Sequence, residues 1–155
     1  VYLPAATGSA EVAVGPPLTA FAGTGEMVLF VDDEPTVREA ALAVLSRLGL
    51  TAIMAVDGAD ALVKAAQHRT HLRAVITDLH MPNVDGLAFA RTLRGLLPDV
   101  TVIASSGRFD ADSAEAFAAL GVKWMLEKPF TQDQLTVVLG AALGLSTPSR
   151  PDQDA

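Results

Sequence analysis

Two periods of hydrophobicity alternate along most of this chain. Five short runs are apolar almost throughout: "MVLFVD" (27–32), "TAIMAV" (51–56), "RAVITD" (73–78), "VTVIAS" (100–105) and "KWMLEK" (123–128). Such runs fit strands buried on both faces. Between them, apolar residues return every three or four positions, the spacing of one helix face. Residues 35–48 place Val37, Ala41, Val44, Leu45 and Leu48 on that face, with Pro35 at a good first helical position and Gly49 as a stop. Residues 58–69 place Ala61, Leu62, Ala65 and Ala66 together, and residues 84–97 place Leu87, Ala90, Leu93 and Leu97. Residues 111–120 carry Ala114, Phe117 and Ala118 before Gly121. The last helix begins at Thr131, where Gln134 completes a capping-box pattern, and buries Leu135, Val138, Leu139, Ala142 and Leu143.

Regular alternation of strand and helix predicts an α/β fold: a (βα)5 doubly wound sheet of five parallel strands, with helices on both faces. The interval of roughly twenty residues is one βα unit and not a solenoid repeat. In such sheets ligands bind beyond the carboxyl ends of the strands, where the strand order switches.

Composition narrows the picture. Half of the 155 residues are hydrophobic, yet no apolar run reaches the ~20 residues needed to span a bilayer, which predicts no direct membrane contact. The first 24 residues lack Lys and Arg, unlike the start of a signal peptide. Without cysteine there are no disulfides, thiolate metal sites or thiol catalysis, which fits a reducing, cytoplasmic setting. A net charge of −7 argues against a nucleic-acid surface. His68, His71 and His80 lack the spacing of zinc ligands. Val1 is no natural translation start, so the chain reads as part of something longer. Residues 1–25, poor in charge and rich in Ala, Gly, Thr and Pro, read as a linker, residues 26–144 as the domain, and 145–155 as a disordered tail.

The chemistry gathers at the strand ends. The first strand ends in Asp32, Asp33 and Glu34, the third in Asp78, the fourth in Ser105, Ser106 and Gly107, and the fifth in Lys128 and Pro129. Crowded carboxylates repel one another unless a cation sits among them. Mg2+ takes one or two carboxylates plus waters and favours phosphate oxygens. Asp33 and Asp78 are the expected ligands, with Asp32 acting through water. An aspartate beside such an ion can attack phosphorus, and Asp78 is the better nucleophile because Asp33 serves as a pure metal ligand. Lys128 supplies an ammonium and Ser106 a hydroxyl for the phosphoryl oxygens.

The segments "VLFVDDEP", "VITDLHMPNVDG", "VIASSG" and "LEKPF", in that order over residues 27 to 130, resemble the receiver domain of bacterial two-component response regulators. The resemblance implies a flavodoxin-like strand order of 2-1-3-4-5. It implies that Asp78 accepts a phosphoryl group from a partner's phosphohistidine, on a kinase dimerisation domain or a histidine phosphotransfer domain. Asp33, Asp78 and the main-chain carbonyl of His80 would bind Mg2+. Ser106 would be the switch hydroxyl that moves to the phosphate, Lys128 its cationic partner, and Pro129 a cis-proline. Met125 stands where the family usually has Tyr or Phe, with Trp124 beside it. His80 and Arg108 lie two residues beyond the acceptor and the switch, positions that tune phosphoryl lifetime in the family. Gly86 lets the acceptor loop turn into the next helix. Partners or a second copy would meet the 108–144 face. The receiver itself would be a phosphoacceptor and not a turnover enzyme.

Taken singly, each feature has a plainer reading. "DDE" before Pro35 could cap a helix, Ser106 could be a turn residue, Lys128 a surface lysine and Trp124 simple packing. Two other functions compete. A nucleotide-binding Rossmann domain needs a glycine-rich turn after the first strand, where this chain has "DDEPT". An aspartate-nucleophile phosphatase needs an acid–base aspartate two residues past the nucleophile, where this chain has His80. The opening "VYLPA" resembles the closing strand of a histidine-kinase ATPase domain. That favours the C-terminal receiver of a hybrid sensor histidine kinase, itself membrane-anchored or not, over a stand-alone regulator.

Overall fold

A computed structural model describes residues 25–81 and 84–144. Apart from Gly25, the expected linker, like the expected tail, lies outside the described residues. Strands β1 (Met27–Val31), β2 (Thr51–Ala55), β3 (Leu72–Asp78), β4 (Thr101–Ser106) and β5 (Trp124–Glu127) alternate with helices α1 (Pro35–Arg47), α2 (Gly58–Gln67), α3 (Gly86–Leu96), α4 (Ala111–Ala119) and α5 (Gln132–Leu143). All strand pairs are parallel, in the order β2-β1-β3-β4-β5. This is the flavodoxin-like order, and its winding reverses between β1 and β3.

Side chains alternate across the sheet, so each strand feeds two cores. Val28, Phe30, Ala74, Ile76, Ile103 and Leu126 pack with Ala41, Val44 and Leu45 of α1 and Leu135, Leu139 and Leu143 of α5. On the other face Leu29, Val31, Val75 and Val102 pack with Ala61 and Ala65 of α2, Phe89, Ala90 and Leu93 of α3, and Phe117 of α4. Ala66 and Ala118, expected on buried faces, are exposed. Helices of Ala-rich composition leave more than one side apolar, so spacing alone does not choose which alanine packs.

Helix ends follow local chemistry. The Asp85 carboxylate accepts from the Ala88 N–H and starts α3 at Gly86, two residues later than the apolar pattern. Thr131 and Gln134 form the full capping box of α5. Gly49 takes φ +80° after α1, the left-handed turn that glycine adopts without penalty. Strand ends shift too. Asp32 falls just past β1 and Lys128 just past β5, which places both in loops at the carboxyl edge of the sheet.

Candidate functional site

The reversal of winding sets the end of β1 beside the end of β3. Asp32 is 1 % exposed and Asp78 8 %. Asp33, next in the chain, is exposed. A carboxylate oxygen from each of the three lies within 4.8 Å of the others. The Asp32 backbone N–H donates to the Ala55 carbonyl at 3.2 Å, its carbonyl accepts from Arg38 Nη1 at 2.7 Å, and its Oδ1 accepts from the Glu34 N–H at 2.9 Å. Glu34, the residue preceding α1, makes no side-chain cap. The "DDE" run therefore does more at the sheet edge than at the helix end.

Lys128 supplies the positive charge. Its Nζ donates to Asp32 Oδ2 at 2.6 Å and sits 3.2 Å from Asp78 Oδ2. Burial disfavours the ammonium, but the hydrogen bond and charge of Asp32, then those of Asp78, outweigh it and raise the Lys128 pKa. Lys128 therefore stays protonated. For Asp78 the balance runs the other way. Burial pushes its carboxyl above the ordinary value, against the pull of Lys128 and with a further push from Asp32. One lysine does not neutralise two buried carboxylates plus Asp33. That surplus of negative charge, on oxygen ligands alone, fits a hard divalent cation.

The other named residues divide around this centre. Ser106 is fully buried, and its Oγ donates to the Arg108 carbonyl at 2.8 Å and accepts from the Arg108 N–H at 3.1 Å. Its hydroxyl is thus tied into its own loop. The Lys128 N–H donates to the Ser106 carbonyl at 2.7 Å, which joins the two loops directly, and the Lys128–Pro129 peptide is cis. The His80 N–H makes a long 3.4 Å contact to Asp78 Oδ1. The side chains of His80 and Arg108 are exposed and act on Asp110. Hydrogen bonds from the Ser113 N–H and Oγ hold the Asp110 carboxyl below the ordinary range, and His80 and Arg108 help. Met125 pairs with Ala104 and packs on the α2–α4 side with Phe109. Trp124 opens β5 opposite Ile103, on the α1/α5 side and at the far end of the strand from Lys128.

Three features escaped the sequence. Gly86 does not need an unusual backbone; a Cβ there would overlap the Asp78 carbonyl and stand 2.8 Å from Leu79 Cα. Its N–H donates to the Leu79 carbonyl at 3.0 Å, so α3 starts in direct contact with the loop that follows Asp78. A groove of about 600 Å3 runs between α1 and the β5–α5 loop. Val37, Ala40, Ala41 and Val44 line one side, Pro129 and Phe130 the other, and Glu34 and Lys128 mark its end at the acidic cluster. Arg94 donates to the carbonyls of Leu120, Gly121, Pro98 and Val100.

The comparisons with known proteins agree with this geometry. Residues 28–139 match the sequence profile of the response regulator receiver domain. Response regulator MprA of Mycobacterium sp. (strain KMS) is 33% identical over 129 residues, covering 83% of this chain and 55% of that protein. Transcription factor SKN7 of Chaetomium thermophilum is 30% identical over 112 residues, 72% of this chain and 15% of that one. The chain thus spans about half the length, or less, of these curated relatives. The chemotaxis protein CheY4 of Vibrio cholerae superposes with a TM-score of 0.73 at 26% identity, covering 77% of this chain and 99% of that structure. The Rossmann alternative falls, because carboxylates occupy the turn where phosphate-cradling glycines are required. With its strand order, its acidic edge and this match across most of its length, the chain belongs to the response regulator receiver domain family of two-component signalling.

Proposed function

We propose that this receiver takes a phosphoryl group from a partner's phosphohistidine onto Asp78. The observation that carries the reading is Lys128, bridging two buried carboxylates where the sheet reverses its winding. As the phosphorus–nitrogen bond breaks, a bond from an Asp78 carboxylate oxygen to phosphorus forms, and the departing imidazole takes a proton from solvent. Asp33, Asp78 and the His80 carbonyl would hold Mg2+, with Asp32 reaching it through water, and the ion would neutralise charge on the phosphoryl oxygens. Lys128 stays charged and faces the same oxygens. Ser106 exchanges its bonds to the Arg108 backbone for one to the phosphoryl group, and the loop into α4 follows. His80 and Arg108, exposed at the mouth, flank the water that later hydrolyses the acyl phosphate.

The switch is a shift between two conformations of the α4–β5–α5 face, residues 108–144, read by a partner or a second copy. Support comes from the light anchoring of α4, which fully buries only Phe117, and from Met125 and Phe109 packing on the side that carries it. The donor docks in the groove between α1 and the β5–α5 loop, which is apolar along its sides and ends at Lys128. Residues 1–5 support a hybrid-kinase parent, which the genomic sequence upstream of Val1 tests. A cytoplasmic setting goes with this reading, supported by the cysteine-free sequence.

Thermal denaturation with beryllofluoride and Mg2+ tests the site. The pair should raise the melting temperature of the wild type and leave Asp78→Asn unmoved, since only a ligand of the native state shifts the transition. An equal rise in both proteins would sink the assignment.

A further inference from the structure

We propose that Ser105, unused in the reading above, positions the Lys128 ammonium during phosphoryl transfer; this rests on Asp78 being the acceptor. Alternation along the strands sets the geometry. Phe30, Ile76, Ile103 and Leu126 face the α1/α5 core. Two residues further along the chain come Asp78 and Ser105, still within β3 and β4, and Asp32 and Lys128, just past β1 and β5. Asp78 and Ser105 are direct register partners on β3 and β4, so the serine stands beside the acceptor on the same face. It is 1 % exposed, and its Oγ lacks a hydrogen-bond partner among the described residues. A buried hydroxyl in that state is unfavourable and calls for a reason.

Lys128 supplies one. It leaves the sheet past β5, yet its Nζ reaches Asp32 past β1. With the order β1-β3-β4-β5, Nζ reaches past β4 to lie 3.2 Å from Asp78, the register partner of Ser105. An ammonium has three N–H donors. Two are taken by Asp32 and Asp78, and the third has no acceptor among the described residues. Phosphoryl charge at Asp78 draws the ammonium away from Asp32 toward β3 and β4. The third N–H then comes within reach of Ser105 Oγ, which accepts it. The hydroxyl is unpaired in the resting protein and satisfied in the charged state, so it favours the position of Lys128 that phosphorylation needs.

The test compares Ser105→Ala, Ser105→Val and Ser105→Thr in labelling by acetyl phosphate with Mg2+. Loss of the hydroxyl in the Ala and Val variants should slow labelling roughly five-fold, the scale of one hydrogen bond. The Thr variant, matched in size to Val, should stay near the wild-type rate. Without ligand, Ser105→Ala should melt no lower than wild type, since it deletes an unpaired group, while its gain from beryllofluoride and Mg2+ should shrink. In a Lys128→Gln background Ser105→Ala should have no further effect. Wild-type behaviour of Ser105→Ala would overturn the proposal. So would equal slowing by Thr and Val, or a full additional loss in Lys128→Gln. Asp78→Asn run alongside separates the two levels: if it labels like wild type, the acceptor assignment itself has failed.

Discussion

Burial governs Asp78 before any ligand arrives. Its carboxyl is raised above the ordinary 3.8 chiefly by desolvation, with Lys128 opposing. The folded chain therefore holds this proton more tightly than the unfolded one. Its contribution is most favourable below the ordinary value and declines as pH rises through the folded-state value. Asp78→Asn removes that decline. In EDTA, the variant should be more stable than wild type at neutral pH and converge with it in acid, as read from urea midpoints. A variant less stable at neutral pH would contradict the assignment of cause. Gly86 gives a second residue-scale expectation. A methyl group there meets backbone of the acceptor loop, which cannot swing aside as a side chain would. Gly86→Ala should cost about 1–3 kcal/mol by overpacking and slow labelling of Asp78, since the clash falls on the Asp78 and Leu79 backbone. The acidic residues were legible because a carboxylate ending an apolar strand is conspicuous in one dimension. The reason for Gly86, the bonds of Ser106 to the Arg108 backbone and the unpaired hydroxyl of Ser105 were not. Each depends on a neighbour that only the folded sheet supplies.

Among the elements, α4 is the lightly held one, and Arg94 of α3 does much of the holding. Its guanidinium joins the α3–β4 turn to Leu120 and Gly121, the cap and the residue after α4, and so satisfies a carbonyl that a helix end leaves without a partner. Arg94→Ala should cost about 2 kcal/mol, the scale of hydrogen bonds from a charged donor. Amide exchange over Ala111–Ala119 should quicken more than exchange in β1 or β3. Uniform acceleration would mean that Arg94 stabilises the whole domain and not this helix. The alternation of strand and helix could be read from periodicity because two periods rarely mimic each other over five repeats. What periodicity missed were the ends. β5 stops at Glu127 and leaves Lys128 in the loop, and α3 waits for its Asp85 cap. Phe89, fully buried on α3, also went unmarked, since the apolar spacing was satisfied by its neighbours.

Over the whole molecule, the acidic edge and the α1–α5 groove form one continuous surface that meets at Lys128. Under the proposed docking, a small phosphodonor needs only the edge, whereas a protein donor needs both. Ala40→Arg, which places a long charged side chain in the groove, should leave labelling by acetyl phosphate within about two-fold of wild type. It should weaken transfer from a phosphorylated histidine-containing donor by ten-fold or more, on the order of 1.4 kcal/mol in binding. Equal loss with both donors would place the defect in the site and not in docking. Intact-mass analysis after incubation with acetyl phosphate, with and without Mg2+, on wild type and Asp78→Asn reads the role of Asp78 most directly. The wild type should gain one phosphoryl group, dependent on Mg2+, and Asp78→Asn none. Labelling of the two proteins to the same extent would contradict that role.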